Sequence, residues 1–302
     1  MDSPSTLKNW LKAIRLRTLP LALASIAMGT FLAASEGHFD GIIFILAVTT
    51  TIFLQILSNL ANDFGDSMHG ADSEERAGPE RSVQSGEISA SAMKRAVILT
   101  SLLSLISGIG LIYKAIENIN ITFLIFMFLG IGAILAALGY TLGRKPYGYA
   151  GLGDLFVVIF FGLVGVLGTC YLFAGSFKSI DIMPALTSGF FATAVLNINN
   201  IRDINSDRLA GKKSIPVRFG RKNAVIYHWF LLFCGFGLAI IYTIINYSSP
   251  YQLIFLLTLP LFVKNALDVK KKNMAAELDP SLKSMAISSL IFTLFFGTGL
   301  LI

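Results

Sequence analysis

Charged and sulfur-bearing side chains are scarce in this sequence. Charged residues make up 14% of the 302 positions, whereas hydrophobic residues make up 54%. Because soluble domains carry roughly 25% charged residues, the composition excludes an ordinary soluble fold. The two cysteines, Cys170 and Cys234, each lie within an apolar run, where a lone thiol behaves as a small hydrophobic group. With three scattered histidines besides, the sequence favours neither a disulfide framework nor a transition-metal site.

Long uncharged runs follow one another along the whole chain. A helix needs about 20 apolar residues to cross the hydrocarbon layer of a membrane. The run 223–263 is too long for one crossing, and we divide it at the polar residues before Pro250. The sequence therefore predicts an all-α membrane protein with nine transmembrane helices. The predicted helices are 18–35, 41–62, 96–113, 118–143, 155–177, 182–201, two within 223–263, and 284–302.

Basic residues fall almost entirely on one side of these predicted helices. Of the 24 Lys and Arg residues, only Lys114 and Lys178 lie on the side opposite the N-terminus. Basic residues accumulate in cytoplasmic loops, so we expect a multi-pass protein of the bacterial inner membrane with a cytoplasmic N-terminus. The alternative, a cleaved signal peptide, is disfavoured because the one-sided distribution depends on retaining the first helix.

The net charge of +6 has a simple explanation in this topology. Basic residues beside hydrophobic helices match anionic lipid headgroups. We therefore expect membrane lipid as a partner and no nucleic acid. The sequence does not predict an oligomeric state.

An acidic cluster follows the second predicted helix. Asn59, Asp63 and Asp66 are separated by four and three residues, and Asn62 directly precedes Asp63. This spacing places the first three on one face of a helix. Carboxylates at a membrane edge cost free energy, so a cluster of them indicates a site rather than chance.

A matching cluster follows the sixth predicted helix. Asn199, Asp203 and Asp207 are separated by four and four residues, which again places them on one helix face. Each cluster ends the second helix of a group of four. The sequence therefore predicts two four-helix pseudo-repeats plus one further helix, arranged around a central cavity where the clusters meet.

Two long cytoplasmic loops adjoin the clusters. We expect the segments 63–95 and 202–222 to cap the cavity within a single transmembrane domain, 1–302. A connection as long as the first one is unusual in a compact bundle. We predict that it contains a short helix and excludes water from the site as a lid.

The residue types in both clusters suit a hard cation. Mg²⁺ binds carboxylate oxygens and keeps phosphate oxygens as further ligands, whereas a transition metal would require His or Cys. The same loops supply basic side chains, which bind phosphate groups. We therefore predict an Mg²⁺-diphosphate site on the cytoplasmic side. Its predicted cations are Arg81, Arg144, Lys145, Arg202 and Lys212.

Two other interpretations of the acidic clusters stay open. Hydrophilic cytoplasmic loops carry Asp, Asn and Arg without any function, but the equivalent position of the two clusters argues against that. Ion-coupled transporters also place carboxylates among repeated helices. Transporters bind their ions near the midplane, however, and here the acidic groups lie at one membrane edge.

Several short segments resemble the UbiA-type intramembrane prenyltransferases. The first cluster, with its extension through Asp72 and the segment 76–81, is similar to the first aspartate-rich motif of that family, and 197–214 resembles the second. The resemblance is close over 15–222, and the rest matches as a helix pattern. Lys213-Ser214-Ile215 departs from the Thr and Leu that relatives often carry, which changes no predicted ligand. Further matching segments are 15–20, 140–141, 146–149, 151–154 and 217–220.

The resemblance implies an activity. These enzymes transfer a polyprenyl group from polyprenyl diphosphate to an aromatic acid. The segments resemble most the branch that acts on 1,4-dihydroxy-2-naphthoate, with loss of CO₂, in menaquinone synthesis. Acceptors such as 4-hydroxybenzoate or homogentisate are the alternatives.

The resemblance also implies residue roles. Tyr140 would face the allylic cation, although an interfacial anchor is the competing interpretation, and Arg17 would position the acceptor carboxylate unless it only sets topology. Mg²⁺ would be held by Asp63, Asp66, Asp203 and Asp207, supported by Asn59, Asn62 and Asn199, and the diphosphate would contact Arg81, Arg144, Lys145, Arg202 and Lys212.

Overall fold

A computed structural model of the chain describes residues 6–68 and 81–302, which form helices and turns. Residues 69–80 lie outside the described ranges, and the predictions that fall on them lie outside as well. The helices in chain order are α1 Leu7–Ile14, α2 Leu19–Ser35, α3 Gly41–Met68, α4 Ala90–Ala115, α5 Ile121–Gly139, α6 Gly153–Ala174, α7 Ile182–Arg202, α8 Ile204–Leu209, α9 Ile215–Ile245, α10 Pro250–Lys271 and α11 Asp279–Leu301.

The described part of the chain contains nine helices that are long and apolar enough to cross a membrane, in the predicted order. This confirms the nine-helix prediction, and the chain is a multi-pass membrane protein. Some helices extend beyond the uncharged runs, at the ends that carry charged residues. Thus α3 continues to Met68 and α4 begins at Ala90, six residues before the predicted start. Charged residues end an uncharged run without ending a helix, because a side chain at a membrane edge reaches water.

Helix starts follow local capping rules. The Ser89 hydroxyl accepts a hydrogen bond from the amide of Ala92 at the start of α4, and the Asn120 side chain accepts one from Phe123 at the start of α5. Such side chains satisfy amides that have no partner within the helix. Proline occupies the first turn of α9, α10 and α11, where no amide donor is needed.

The buried core lies mainly in the second half of the chain. The Phe191 ring on α7 lies 5.5 Å from Phe236 on α9, 4.6 Å from Phe262 on α10 and 5.0 Å from Phe292 on α11. In contrast, α5 has no buried residue. The phenylalanine cluster therefore fixes the helices that carry the second acidic end, while α5 presents its apolar side chains for contact with lipid.

The predicted cap loops differ in how much of them the structure describes. The segment 202–222 contains the short helix α8 and the first turns of α9. In the segment 63–95, α3 and α4 extend from both sides and turns fill 82–88. The short helix predicted for this loop, and its role as a lid, depend on residues outside the described ranges. The two pseudo-repeats, the central cavity and the single domain 1–302 stay predictions.

Candidate active site

The first acidic helix end is buried and receives donors from three other segments. Asp66 accepts hydrogen bonds from Arg81 at 2.8 Å and from the Tyr149 hydroxyl at 3.0 Å. Asp63 accepts from the backbone amides of Ser82 at 3.1 Å and Val83 at 3.3 Å. Residues 81–83 therefore contact the end of α3. Both carboxylates are satisfied although they are almost fully buried.

The second acidic helix end is held locally. The helix axis breaks at Asp203, between α7 and α8. Arg202 contacts the two oxygens of Asp203 at 2.8 and 2.7 Å, and its Nη2 also donates to Asn199 at 2.8 Å. A two-point contact of this kind is among the stronger ion-pair geometries. Arg202 is therefore occupied by the second acidic end itself.

Lys212 joins the two acidic ends. Its ammonium lies 3.1 Å from Asp66 and 3.2 Å from Asp207. Burial opposes the charged amine, yet the two carboxylates raise the pKa of Lys212 above its usual value. The predicted meeting of the two clusters is thus present in the structure, because one ammonium group contacts both.

The environment of Asp207 differs from that of an ordinary exposed carboxylate. Burial, helped by the nearby charges of Asp203 and Asp66, raises the pKa of Asp207 to about 6, although Lys212 acts in the opposite direction. A buried carboxylate with one cationic partner favours an additional cation beside it. Asp207 is therefore well suited to contact a metal ion.

Three tyrosines follow α5, and among the described residues Tyr149 is the one that hydrogen-bonds to an acidic side chain of the cluster. Burial first, and then the charges of Asp207 and Asp66, raise the pKa of Tyr140 well above its usual value. Tyr147 donates its hydroxyl to the carbonyl of Ala136 at 2.8 Å and serves as an anchor. Tyr149 donates to Asp66, a role that the sequence did not distinguish from interfacial anchoring.

Tyr140 is held tightly by the loop that follows it. A Cβ atom at Gly148 would lie 2.5 Å from the Tyr140 carbonyl oxygen and 2.9 Å from its ring. Only glycine leaves room for this approach. The Tyr147 ring packs edge-on against Tyr140 with centroids 5.4 Å apart. The Tyr140 ring is therefore fixed before any substrate binds.

Asp279 is a site residue that sequence reasoning missed. It opens α11, where one of its oxygens pairs with Arg17 and the other accepts from Arg202 at 2.6 Å. In the sequence it looks like an ordinary acidic residue at a helix start, which the helix dipole favours. Its connection of the first and last membrane helices becomes visible only in three dimensions. Arg17, predicted to hold an acceptor carboxylate, holds a protein carboxylate here.

Two predicted asparagines contact protein neighbours. The Asn59 side chain donates to the Ile14 carbonyl at 2.8 Å and to the Thr18 hydroxyl at 3.0 Å, and so attaches α3 to the N-terminal segment. The Asn62 oxygen lies 3.4 Å from the hydroxyl of Thr141. In the structure the Asn59 side-chain nitrogen makes a helix-packing contact, and a supporting role for Asn59 beside the carboxylates stays a prediction.

Arg144 and Lys145 line a separate cavity. This cavity has a volume of about 440 Å³, and we call it the basic pocket. Tyr149 lines it too and also donates to Asp66, so the basic pocket lies next to the first acidic end. The basic pocket is lined by Arg144, Lys145, Pro146, Tyr149, Ala150, Ala210, Lys213 and Arg218.

The described carboxylates do not form a preassembled metal cage. Within 6–68 and 81–302, no group of three or more His, Cys, Asp or Glu side chains lies close enough to hold a metal ion by itself. The donor types nevertheless fit Mg²⁺, since they are carboxylate and amide oxygens. A magnesium ion here would need additional oxygens, such as those of a diphosphate or water.

Comparison with known proteins identifies the fold and the family. The model of the UbiA prenyltransferase family matches residues 22–290. Solved structures of UbiA homologues are similar in fold. One from Aeropyrum pernix gives a TM-score of 0.66 at 17% identity, covering 95% of this chain and 97% of that one. One from Archaeoglobus fulgidus bound to GPP and Mg²⁺ gives 0.64 at 18% identity, covering 97% and 99%.

Curated relatives match nearly the whole chain. The 1,4-dihydroxy-2-naphthoate octaprenyltransferase of Haemophilus influenzae is 46% identical, covering 98% of this chain and 96% of its own length. The protein of the same name from Escherichia coli is 43% identical with the same coverage. The family resemblance inferred from the motifs is confirmed, as is the expectation of an enzyme rather than a transporter. The chain belongs to the UbiA prenyltransferase family, and it is a membrane-embedded prenyltransferase.

Proposed function

We propose that this enzyme transfers a polyprenyl group from its diphosphate to 1,4-dihydroxy-2-naphthoate with loss of CO₂. The observation that carries the proposal is the contact of one ammonium, Lys212, with both Asp66 and Asp207. It brings the two acidic ends within reach of one ligand. The names of the relatives in Haemophilus influenzae and Escherichia coli support this acceptor.

The carboxylates would hold Mg²⁺ together with the diphosphate. We assign this role to Asp66 and Asp207 first, with Asp63 and Asp203 beside them. The Archaeoglobus fulgidus homologue was solved with GPP and Mg²⁺, which supports a divalent metal in this fold. When bound, Mg²⁺ would neutralise charge that develops on the diphosphate as the carbon–oxygen bond breaks. Lys212 and Arg81 contact Asp66 and would exchange it for phosphate oxygens.

The leaving step needs stabilisation of a positive charge on carbon. We assign this role to the fixed Tyr140 ring, because an aromatic face stabilises an allylic cation. Tyr149 keeps Asp66 oriented through its hydroxyl. The loop 147–149, which packs closely against Tyr140, would also limit the access of water to the cation. Attack by water would yield a prenyl alcohol instead of the product.

The acceptor then supplies the electrons for the new bond. Diphosphate has by then left with the electrons of the broken carbon–oxygen bond, and the electron-rich ring attacks the first carbon of the prenyl cation. The carboxylate departs as CO₂ and leaves its bonding electrons to the ring. The product is the prenylated naphthalenediol, which is the reduced form of demethylmenaquinone. We assign Arg17 to the acceptor carboxylate, since the structure already holds a carboxylate, that of Asp279, against it.

The orientation of the protein in the membrane is inferred from the distribution of its basic residues. We propose that the N-terminus and the acidic ends face the cytoplasm of a bacterial inner membrane, because the basic residues concentrate on that side. The aromatic acid and the diphosphate would reach the site from the cytoplasm. The prenyl chain would lie among the apolar helices.

The test uses the full chain in liposomes with radiolabelled prenyl diphosphate. Asp66→Asn and Asp207→Asn should each reduce product formation by about a hundredfold or more, as loss of one preorganised charge contact commonly does. Asp268→Asn is the matched control, since within 6–68 and 81–302 the single ion pair of this carboxylate is a long one, 3.7 Å from Lys272, outside the site. Full Mg²⁺-dependent activity in both site variants would refute the site assignment.

The same assay identifies the acceptor. We expect a prenylated product and CO₂ with 1,4-dihydroxy-2-naphthoate. A preference for 4-hydroxybenzoate or homogentisate under identical conditions would refute that choice while leaving prenyl transfer intact.

A further inference from the structure

The turn that carries Arg17 has an unusual backbone. Among residues 6–68 and 81–302, Arg15 is the one non-glycine residue with a positive φ, 54° with a ψ of 61°. This left-handed conformation crowds the Cβ atom, so a residue other than glycine keeps it only where surrounding contacts hold it. Arg17 lies two positions later, in the short turn Leu16–Thr18 between α1 and α2. The position of Arg17 therefore depends on contacts that support this turn.

Thr18 supplies that support. Its amide and its hydroxyl both donate to the Arg15 carbonyl, each at 2.9 Å. The hydroxyl oxygen also accepts from Gln55 Nε2 at 3.1 Å and from Asn59 Nδ2 at 3.0 Å. A hydroxyl has one proton and two lone pairs, so these three hydrogen bonds use its full capacity. Thr18 closes the turn and attaches it to α3 through two side-chain amides.

Gln55 is a polar side chain buried within a membrane helix, α3. A buried amide costs free energy unless it is hydrogen-bonded, and in membrane proteins such groups join helices to one another. Asn59, one helical turn later, also donates to the Ile14 carbonyl at 2.8 Å. The two amides of α3 thus hold the turn from both ends, at Ile14 and at Thr18.

The same face of α3 carries the first acidic end. Gln55, Asn59, Asp63 and Asp66 are separated by four, four and three residues, which stacks them along one side of the helix. The first two hold the turn that carries Arg17, and the last two are the carboxylates assigned to Mg²⁺ and diphosphate. Because a helix is stiff along its axis, α3 fixes the separation between that turn and these carboxylates.

We propose that Thr18 and Gln55 are positioning residues that set where Arg17 holds the carboxylate of the aromatic acceptor. The inference rests on the proposed function, in which Arg17 binds that carboxylate. Asp279 pairs with the Arg17 guanidinium, whereas Thr18 and Gln55 restrain its backbone. The acceptor ring is thereby placed at a set distance from the diphosphate at the end of α3, and transfer between two bound substrates depends on such placement.

The experiment compares kinetic constants for the two substrates. The full chain in liposomes is assayed for prenyl transfer while either the aromatic acid or the prenyl diphosphate is varied. Thr18→Val keeps the side-chain shape but removes the hydroxyl, so two buried donors lose their acceptor, and the KM for the aromatic acid should rise by about tenfold. Gln55→Leu removes one of the three hydrogen bonds and should raise it by about threefold. The KM for prenyl diphosphate should change by less than about twofold in both variants.

Matched variants separate positioning from general damage to the fold. Thr18→Ser keeps the hydroxyl and should retain the wild-type KM for the aromatic acid. Thr30→Val removes another buried hydroxyl of α2, one that donates to the Ile26 carbonyl of its own helix at 2.8 Å. Gln252→Leu removes another buried amide, at the start of α10. Both of these controls should leave the KM for the aromatic acid unchanged.

A double-mutant cycle tests the route of action. If Thr18 acts through Arg17, then Thr18→Val should add little to the rise in KM that Arg17→Gln causes by itself. Fully additive effects on KM would overturn the proposal. An equal rise in KM for both substrates, or an equal rise for Thr18→Val and Thr18→Ser, would overturn it as well.

These outcomes are distinct from a failure of the proposed function. The alternative acceptors, 4-hydroxybenzoate and homogentisate, also carry a carboxylate. A preference for one of them would change the acceptor in the assay and leave the comparison of variants intact. Absence of prenyl transfer to any of these acids by the wild type would overturn the proposed function and this inference together.

Discussion

The two acidic helix ends look alike in sequence but are built in different ways. At the first end, Asp66 receives donors from Arg81, Tyr149 and Lys212, which lie in three separate parts of the chain. At the second end, Asp203 is held by its neighbour Arg202. The first end is therefore assembled by tertiary folding, whereas most of the second forms with its own helix. Lys212 is the contact that makes them one site.

Removal of the Lys212 ammonium should have the largest effect, because this group contacts both acidic ends. Lys212→Met leaves Asp66 and Asp207 buried without their shared cation, which should destabilise the protein by about 3 kcal/mol. Thermal unfolding in detergent measures this loss, and added Mg²⁺ should restore more stability to the variant than to the wild type. Lys213→Met, at an exposed neighbour, is the control. Equal melting temperatures for Lys212→Met and wild type would contradict a bridging role.

Asp279→Asn should affect the second end while sparing the first. The change keeps the side-chain shape but removes the charge shared by Arg17 and Arg202. With Arg17 poorly positioned, we expect the KM for the aromatic acid to rise by about tenfold, with a smaller change in kcat. Asp268→Asn serves again as the control. An unchanged KM for the acceptor would remove Asp279 from a positioning role.

The smallest effect that we expect is a pH dependence of Mg²⁺ binding at Asp207, in the second acidic end. Its pKa is raised to about 6, mainly by burial. Metal binding needs the carboxylate, so Mg²⁺ affinity should fall as pH drops through 6. The stability of the metal-free protein should change in the opposite direction. Because the pKa of Asp207 is higher in the folded than in the unfolded protein, its protonated form stabilises the fold, and this stabilisation is lost as pH rises through 6.

A variant tests the cause of that pH dependence. Asp203 carries a like charge that raises the pKa of Asp207, after burial. Asp203→Asn should therefore move the midpoint of Mg²⁺ binding to lower pH, whatever it does to the maximal affinity. Isothermal titration between pH 5 and 8 provides the measurement. A midpoint that stays in place would assign the shift in pKa to burial and the charge of Asp66, without Asp203.

The sequence predicted best those features that depend on the geometry of a single helix. Eight hydrophobic runs, one of them long enough for two crossings, predict nine helices, and the spacing of Asp63 and Asp66 predicts a shared face, because both follow from helix geometry. The positions of loop residues relative to one another do not follow. Arg144 and Lys145 lie in the basic pocket because the loop after α5 contacts the segment that carries Lys213 and Arg218, and no local spacing predicts that contact.

Asp279 shows the other limit of sequence reasoning. No local spacing relates it to Arg17, 262 positions earlier, since their pairing depends on α2 and α11 lying side by side. The hydrogen bond from Tyr149 to Asp66 was not predicted for a similar reason, because the two residues lie 83 positions apart in the sequence. Such contacts are set by tertiary packing, which no pattern within one segment encodes.

The position of Asp279 also bears on how the enzyme matures. Arg17 lies at the start of the first of the nine described membrane helices and Asp279 opens the ninth, so their ion pair forms only after both helices have been inserted and have packed together. We therefore expect this ion pair to form late in assembly in the bilayer, after the helices that separate its two partners along the chain are in place.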